Sequence, residues 1–163
     1  RLTSNGKLIE GIFKGETINT PSLLCVEDYI DALLWAKSIG GLDGLIARAD
    51  TNTRVLADWV AKNPAVAFLA QDPASRSNTS VCLRFADPAV AGLDDAGQQA
   101  FVKNLTGLLE AEKVAYDIAS YRDAPPGLRI WCGATVETSD LEALVPWLDW
   151  AFATQKAALK AAA

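Results

Sequence analysis

The apolar pattern of the chain changes its period at Asn63-Pro64, and this change constrains the fold more than any other feature. Before it, apolar residues recur at helical spacing in two runs, over 26–34 and 42–60. Asn63-Pro64 ends the second run, because a residue before proline is pushed out of the α region. Beyond it, short strand and helix patterns alternate over short links. We therefore predict one part over residues 1–63 and another over residues 64–163.

The order of elements in the second part predicts a small α+β domain. Alternation of Val81, Leu83 and Phe85 with Cys82 and Arg84 predicts a half-buried strand over 80–85. Further strands are predicted over 65–70, 116–120 and 128–134, and two helices begin at capping boxes, Asp95 with Gln98 and Ser139 with Glu142. This order predicts a mainly antiparallel sheet with helices on one face.

The first part is expected to contain a strand or strand pair and then helices. Residues 8–13 alternate, and a helix is predicted from Pro21 until Gly40-Gly41. The sequence begins with Arg1 and has no methionine, so we expect a fragment of a longer protein. A fragment would leave residues 1–21 poorly packed or paired with another copy. If Leu8, Ile12 and Phe13 made well-buried contacts within one monomer, they would argue against a fragment.

Composition limits the possible function classes. The 163 residues carry a formal net charge of −5 with no Lys/Arg cluster, which argues against a nucleic-acid or membrane surface. No run of about 18 apolar residues and no leader is present, so a cytoplasmic location is expected. The absence of histidine excludes Ser-His and Cys-His nucleophiles, and no metal site is expected. Three free, buried thiols are predicted, Cys25, Cys82 and Cys132.

Two places in the sequence have the character of anion sites. Thr20 is the predicted N-cap of the first helix and Pro21 its first residue, so the free N–H groups of the first turn, beside Asn19, would favour a phosphate or carboxylate. Alternation places Arg129 on a predicted strand, facing opposite to Leu128 and Ile130. Together with Arg122, in the loop before the strand, it could clamp a carboxylate. The alternatives are an ordinary helix start and surface salt bridges, and Arg76 has the same ambiguity.

Four segments of the chain, taken together and in order, resemble the phosphoserine aminotransferase family. They are GETINTPS at 15–22, CVEDY at 25–29, RSNTSVC at 76–82 and PGLRIWCG at 126–133. The resemblance covers essentially the whole chain and matches the C-terminal part of the family. It implies the small C-terminal domain of an aspartate-aminotransferase-like fold, preceded by the end of the large domain and a helical connector.

The resemblance also implies an activity. The family consists of class V pyridoxal-phosphate aminotransferases that act as homodimers in serine biosynthesis. They transfer an amino group from glutamate to 3-phosphohydroxypyruvate, giving phosphoserine and 2-oxoglutarate. By resemblance, Asn19 and Thr20 contact the cofactor phosphate across the dimer, and Arg129 binds the substrate α-carboxylate. Where many members have a His-Arg pair for the substrate phosphate, this chain has Tyr121-Arg122 in a loop one residue longer.

The family's Schiff-base lysine lies upstream of the matched segment. Lys7 and Lys14 have the setting of solvated surface lysines, so no catalytic residue is assigned and the chain alone is expected to be inactive. Two other classes stay open. One is a related class V aminotransferase with a different oxo acid, and the other is a non-catalytic α+β module for dimerisation or anion binding.

Overall fold

The computed structural model describes residues 3–17, 19–121 and 123–162, and divides the chain into two compact units, Arg1–Leu42 and Asp43–Ala163. In the first unit, β1 (Thr3–Ser4) pairs antiparallel with β2 (Lys7–Leu8). The turn between them uses positive φ at Asn5 and Gly6, 51° and 74°, as a tight hairpin requires. This pair lies before the segment in which strands were predicted, and only Leu8 falls within residues 8–13. The strand prediction over 8–13 is wrong beyond Leu8, because a 3-10 helix covers Glu10–Lys14.

Helix α1 (Leu23–Ser38) follows in the first unit. Its N-cap is Ser22, whose hydroxyl accepts the Cys25 N–H at 3.4 Å. The prediction of Thr20 as N-cap and Pro21 as the first helical residue is therefore wrong by two positions. Ser22 is as good a capping residue as threonine, and the proline can precede the cap without losing a helical hydrogen bond.

No side chain of α1 is buried, and its apolar residues lie in solvent. Leu23 is 80% exposed and Tyr29 is 67% exposed. Leu8 and Phe13 are likewise exposed, as expected for a fragment, while the side chain of Ile12 lies outside the described residues. The prediction that Cys25 is buried is wrong, because it lies on this exposed helix.

The second unit is a three-stranded antiparallel sheet with helices on one face, as predicted. Strands β3 (Val66–Phe68), β4 (Ser80–Phe85) and β5 (Leu128–Trp131) lie in that order in the sheet. The helices are α2 (Gly41–Lys62), the short α3 (Pro88–Ala91), α4 (Asp95–Ala111) and α5 (Thr138–Ala162). Helix α2 lies almost wholly in this unit, and the division at residues 63 and 64 stays a prediction.

The core lies between one face of the sheet and the helices. Val81, Leu83 and Phe85 are buried, which confirms the predicted alternation in β4. Phe85 meets Phe101 of α4 edge-to-face at 5.2 Å between ring centroids, and stacks on Phe152 of α5 at 5.6 Å. Aromatic contacts thus join the sheet to α4 and α5.

Three local predictions are wrong in the second unit. Residues 116–120 form only an isolated bridge, Ala119 with Leu128, because Asp117 has a φ of 53° that interrupts an extended chain. The N-cap of α4 is Asp94, which accepts the Gly97 N–H at 2.8 Å. Helix α5 begins before Ser139, so the second capping box is not formed either. The kink at Pro146 stays a prediction.

Candidate carboxylate-binding site

Arg129 lies on the face of the sheet opposite the core. Its neighbours Leu128 and Ile130 are each 2% exposed, whereas the Arg129 side chain is 36% exposed. Gly127 precedes β5 and lies so close to β4 that a Cβ on it would overlap the carbonyl oxygen of Leu83. The close approach that only glycine permits therefore fixes the position from which Arg129 projects.

A pocket of about 290 Å³ surrounds this guanidinium. Nη2 of Arg129 lies 3.2 Å from Oδ2 of Asp117, forming an ion pair. The Arg129 backbone N–H donates to the carbonyl of Ile118 at 2.8 Å. The pocket is lined by Ser80, Tyr116, Asp117, Ile118, Arg129 and Trp131. The site thus offers one cation, already paired with the Asp117 carboxylate, together with hydroxyl groups and an indole. A guanidinium is suited to binding a small carboxylate.

Tyr121 is not brought into this pocket. It is 57% exposed and lines a second pocket, of about 300 Å³, together with Lys103 and Thr106 of α4. Arg122 lies outside the described residues. The predicted Tyr121-Arg122 phosphate site therefore stays a prediction, and Tyr121 is not among the residues that line the Arg129 pocket.

Asn19 and Thr20 are both exposed in the first unit. They precede the Ser22 cap, so the argument that placed an anion on them through helix capping is wrong. Their contact with a cofactor phosphate, which the family resemblance implies, stays a prediction. Lys14 is a surface lysine, as predicted: its ammonium is paired with Glu10 at 3.3 Å.

Arg76 has a structural role, which settles the ambiguity in its pattern. Its guanidinium donates to the carbonyls of Ala70 and Gln71 at 3.0 and 3.2 Å and lies 4.1 Å above the ring of Phe68. These contacts close the loop before β4. Arg76 is therefore bound to its own loop rather than presented to the Arg129 pocket.

Asn52 was missed at the sequence level, although it organises the chain after β5. It is fully buried, and its amide donates to the carbonyls of Cys132, Gly133 and Val136 at 3.2, 3.3 and 2.9 Å. Its oxygen accepts the Thr138 hydroxyl at 2.7 Å. The available signal was its spacing, four residues before the buried Leu56.

Cys132 follows β5 and is fully buried, as predicted, and Cys82 is half-buried. Burial raises the pKa of the Cys132 thiol to about 11, so it is protonated and inert at neutral pH. Across the residues that the structure describes, no cluster of three or more potential metal ligands occurs. In the same residues, no helix has the length and apolar character needed to cross a membrane.

Solved structures share this fold with the chain. A phosphoserine aminotransferase from Bacillus circulans subsp. alkalophilus superposes with a TM-score of 0.71 and 19% identity, over 88% of this chain and 36% of the other. A pyridoxal-phosphate-bound phosphoserine aminotransferase from Trichomonas vaginalis gives a TM-score of 0.66 and 17% identity, over 85% of this chain and 36% of the other. The chain therefore shares the fold of the matching segment of these structures.

The sequence comparison is more specific. A phosphoserine aminotransferase from Methanosarcina mazei is 51% identical over 152 residues, which are 93% of this chain and 38% of the relative. One from a Nocardioides species is 31% identical over 87% of this chain and 35% of the relative. No protein-family model matches the chain. The chain is thus homologous to the phosphoserine aminotransferases, and it spans little more than a third of their length.

Proposed function

We propose that this chain is the C-terminal part of a phosphoserine aminotransferase that transfers an amino group between glutamate and 3-phosphohydroxypyruvate. The observation that carries the proposal is the pocket lined by Arg129, which follows Gly127 and Leu128 at the start of β5. Identity of 51% to a named phosphoserine aminotransferase supports the same assignment.

Arg129 binds the α-carboxylate of the substrate in this proposal. A guanidinium presents two parallel N–H donors that match the two carboxylate oxygens. The sheet fixes the direction of Arg129, because Leu128 and Ile130 on either side are buried in the core. Binding at Arg129 therefore orients the substrate with its α-carbon at a fixed distance from β5.

Pyridoxal phosphate supplies the electron sink for amino transfer, and residues of this chain would hold its phosphate. The amide of Asn19 and the hydroxyl of Thr20 are neutral hydrogen-bond donors, exposed and adjacent, so their chemistry fits a phosphate oxygen. The lysine that attaches the cofactor is assigned to the upstream part of the family's sequence. The chain alone is inactive in this proposal.

Tyr121 and Arg122 are assigned to the phosphate of 3-phosphohydroxypyruvate. Lys103 lines the same pocket as Tyr121 and adds a positive charge there. The proposed enzyme is a cytoplasmic homodimer, and the exposed apolar side chains of α1 supply a surface that a partner would cover.

The proposal is tested by replacing Arg129 with glutamine in the full-length enzyme. We expect kcat/KM for 3-phosphohydroxypyruvate to fall about 10- to 100-fold, because a hydrogen-bonded charge contact contributes about 1.5–3 kcal/mol. Arg84→Gln is the matched control, since Arg84 is an exposed arginine on the same sheet face and outside the pocket. Equal activity of the two variants would contradict the assignment of Arg129.

The same assay separates the alternatives that the sequence leaves open. Preference for the phosphorylated oxo acid over glyoxylate supports the Tyr121-Arg122 assignment, and the opposite preference indicates a different class V aminotransferase. No transamination by the full-length protein would indicate a binding module.

A further inference from the structure

Asp117 forms an ion pair with the Arg129 guanidinium, which is the group that the α-carboxylate of the proposed substrate would bind. Oδ2 of Asp117 lies 3.2 Å from Nη2 of Arg129, and both residues line the same pocket. The Asp117 carboxylate therefore lies where the carboxylate of a substrate would bind. The pair is a single contact through one guanidinium nitrogen rather than a two-bond fork.

The backbone, rather than the ion pair, places Asp117 there. Its φ of 53° lies in the left-handed region, which aspartate and asparagine tolerate better than most residues. The next residue, Ile118, accepts the Arg129 N–H at 2.8 Å, and Ser120 donates to Gly127 at 2.9 Å. These bonds tie the segment that carries Asp117 alongside the start of β5.

We infer that Asp117 is a built-in competitor for Arg129, which sets the affinity and selectivity of this pocket for carboxylates. This inference rests on the proposed function of Arg129. The Asp117 side chain is 90% exposed, and such ion pairs are weak, so an incoming ligand displaces it readily. A carboxylate that forms two parallel hydrogen bonds outcompetes the single contact, whereas an anion that makes only one does not.

If Asp117 competes for Arg129, removing its charge should raise the affinity of the isolated 163-residue chain for a carboxylate. Asp117→Asn keeps the size and the tolerance of positive φ but removes the charge. We expect it to bind glutarate roughly two- to fivefold more tightly than the unmodified chain at low ionic strength, the range expected for losing an exposed ion pair. Asp117→Gly, which also accepts positive φ, should bind more tightly too.

Binding is measured by NMR as the shift of the Trp131 indole resonance, because Trp131 lines the pocket. A Trp131→Phe variant assigns the resonance. Glu110→Gln is the charge-matched control: Glu110 is exposed on α4 and outside the pocket, so it should leave glutarate affinity unchanged. Equal gains in Glu110→Gln and Asp117→Asn would mean that net charge is responsible, and would overturn the inference.

The arms of the experiment separate the two proposals. The competitor role is overturned if Asp117→Asn binds glutarate no more tightly than the unmodified chain. It is also overturned if neither the unmodified chain nor Asp117→Asn binds glutarate. Arg129→Gln should abolish binding. If it does so while Asp117→Asn changes nothing, the function proposed for Arg129 stands and only the competitor fails. If Arg129→Gln binds normally, the proposed role of Arg129 is wrong.

Discussion

Asp87 and Lys156 form an ion pair at the edge of the core. Asp87 is 8% exposed, and its Oδ2 lies 2.5 Å from the Lys156 ammonium, while Oδ1 accepts the Ala89 N–H at 3.0 Å and caps α3. The hydrogen bond from Lys156 lowers the pKa of Asp87 below its ordinary value of 3.8, and outweighs burial, which acts in the opposite direction. The charged form of Asp87 therefore contributes to folding stability.

The pH dependence of stability tests this pair. Because the folded pKa is lowered, the contribution is present above pH 3.8 and is lost as pH falls from 3.8 through the folded pKa. Lys156→Gln should lower the free energy of unfolding by about 1.5–3 kcal/mol at neutral pH, and by less in acid. Urea denaturation at several pH values measures the difference. Lys160→Gln, with a weaker effect on the same carboxyl, is the control; equal losses in both variants would contradict the prediction.

Single residues were predictable where a repeating pattern placed them. Arg129 was placed opposite Leu128 and Ile130 by alternation, and the structure confirms that placement. Asp117 was not predicted as its partner, because a positive φ at a non-glycine residue leaves no periodic signal. The N-cap of α1 is Ser22 rather than the predicted Thr20, and serine is preferred over threonine at this position.

At the scale of elements, α2 anchors the segment between β5 and α5. Asn52 binds that segment through the carbonyls of residues 132, 133 and 136, and Arg48 donates to Ala134 at 2.7 Å. Arg48 also pairs with Glu137 at 2.6 Å. These contacts hold both the end of β5 and the start of α5 on one helix.

Asn52→Ala should therefore destabilise the second unit. We expect the free energy of unfolding to fall by about 3 kcal/mol, because buried carbonyls and the Thr138 hydroxyl lose their partner. Unfolding in urea, followed by circular dichroism, measures the loss. Thr51→Ala is the matched control on the same helix, since the Thr51 hydroxyl is exposed and binds its own helix at Ala47. Similar losses in the two variants would contradict the role of Asn52.

The long elements followed from the sequence because their patterns are strong. The end of α2 before Asn63-Pro64 and the extent of β4 match the prediction. The wrong predictions lie where local hydrogen bonding, rather than the apolar periodicity of the sequence, determines the structure. Gln98 donates to the carbonyl of Leu93 at 3.0 Å instead of closing a capping box, and α3 is only one turn long.

At the scale of the whole molecule, the two units differ in burial. The described core residues lie in the second unit, whereas α1 exposes its apolar side chains. The three cysteines sample this difference, because Cys25 is exposed, Cys82 half-buried and Cys132 fully buried.

Thiol labelling should follow this order. In native buffer, Cys25 should react with iodoacetamide first, and Cys132 should react only when the second unit unfolds, because burial raises its pKa to about 11. Mass spectrometry of peptides after timed labelling measures each site, and labelling in denaturant is the control. Slow reaction of Cys25 would contradict its exposure. If diluting the protein then made Cys25 react quickly, a second copy would be covering α1.

The binding of residues 132–138 by α2 also determines where this unit tolerates being cut and rejoined. New chain ends placed in that segment would separate β5 from α5 and release the carbonyls that Asn52 binds. A circular permutant cut there, or a reporter domain inserted there, would therefore disrupt the segment that joins β5 to α5. Protein engineers who reuse this unit should leave that connection closed.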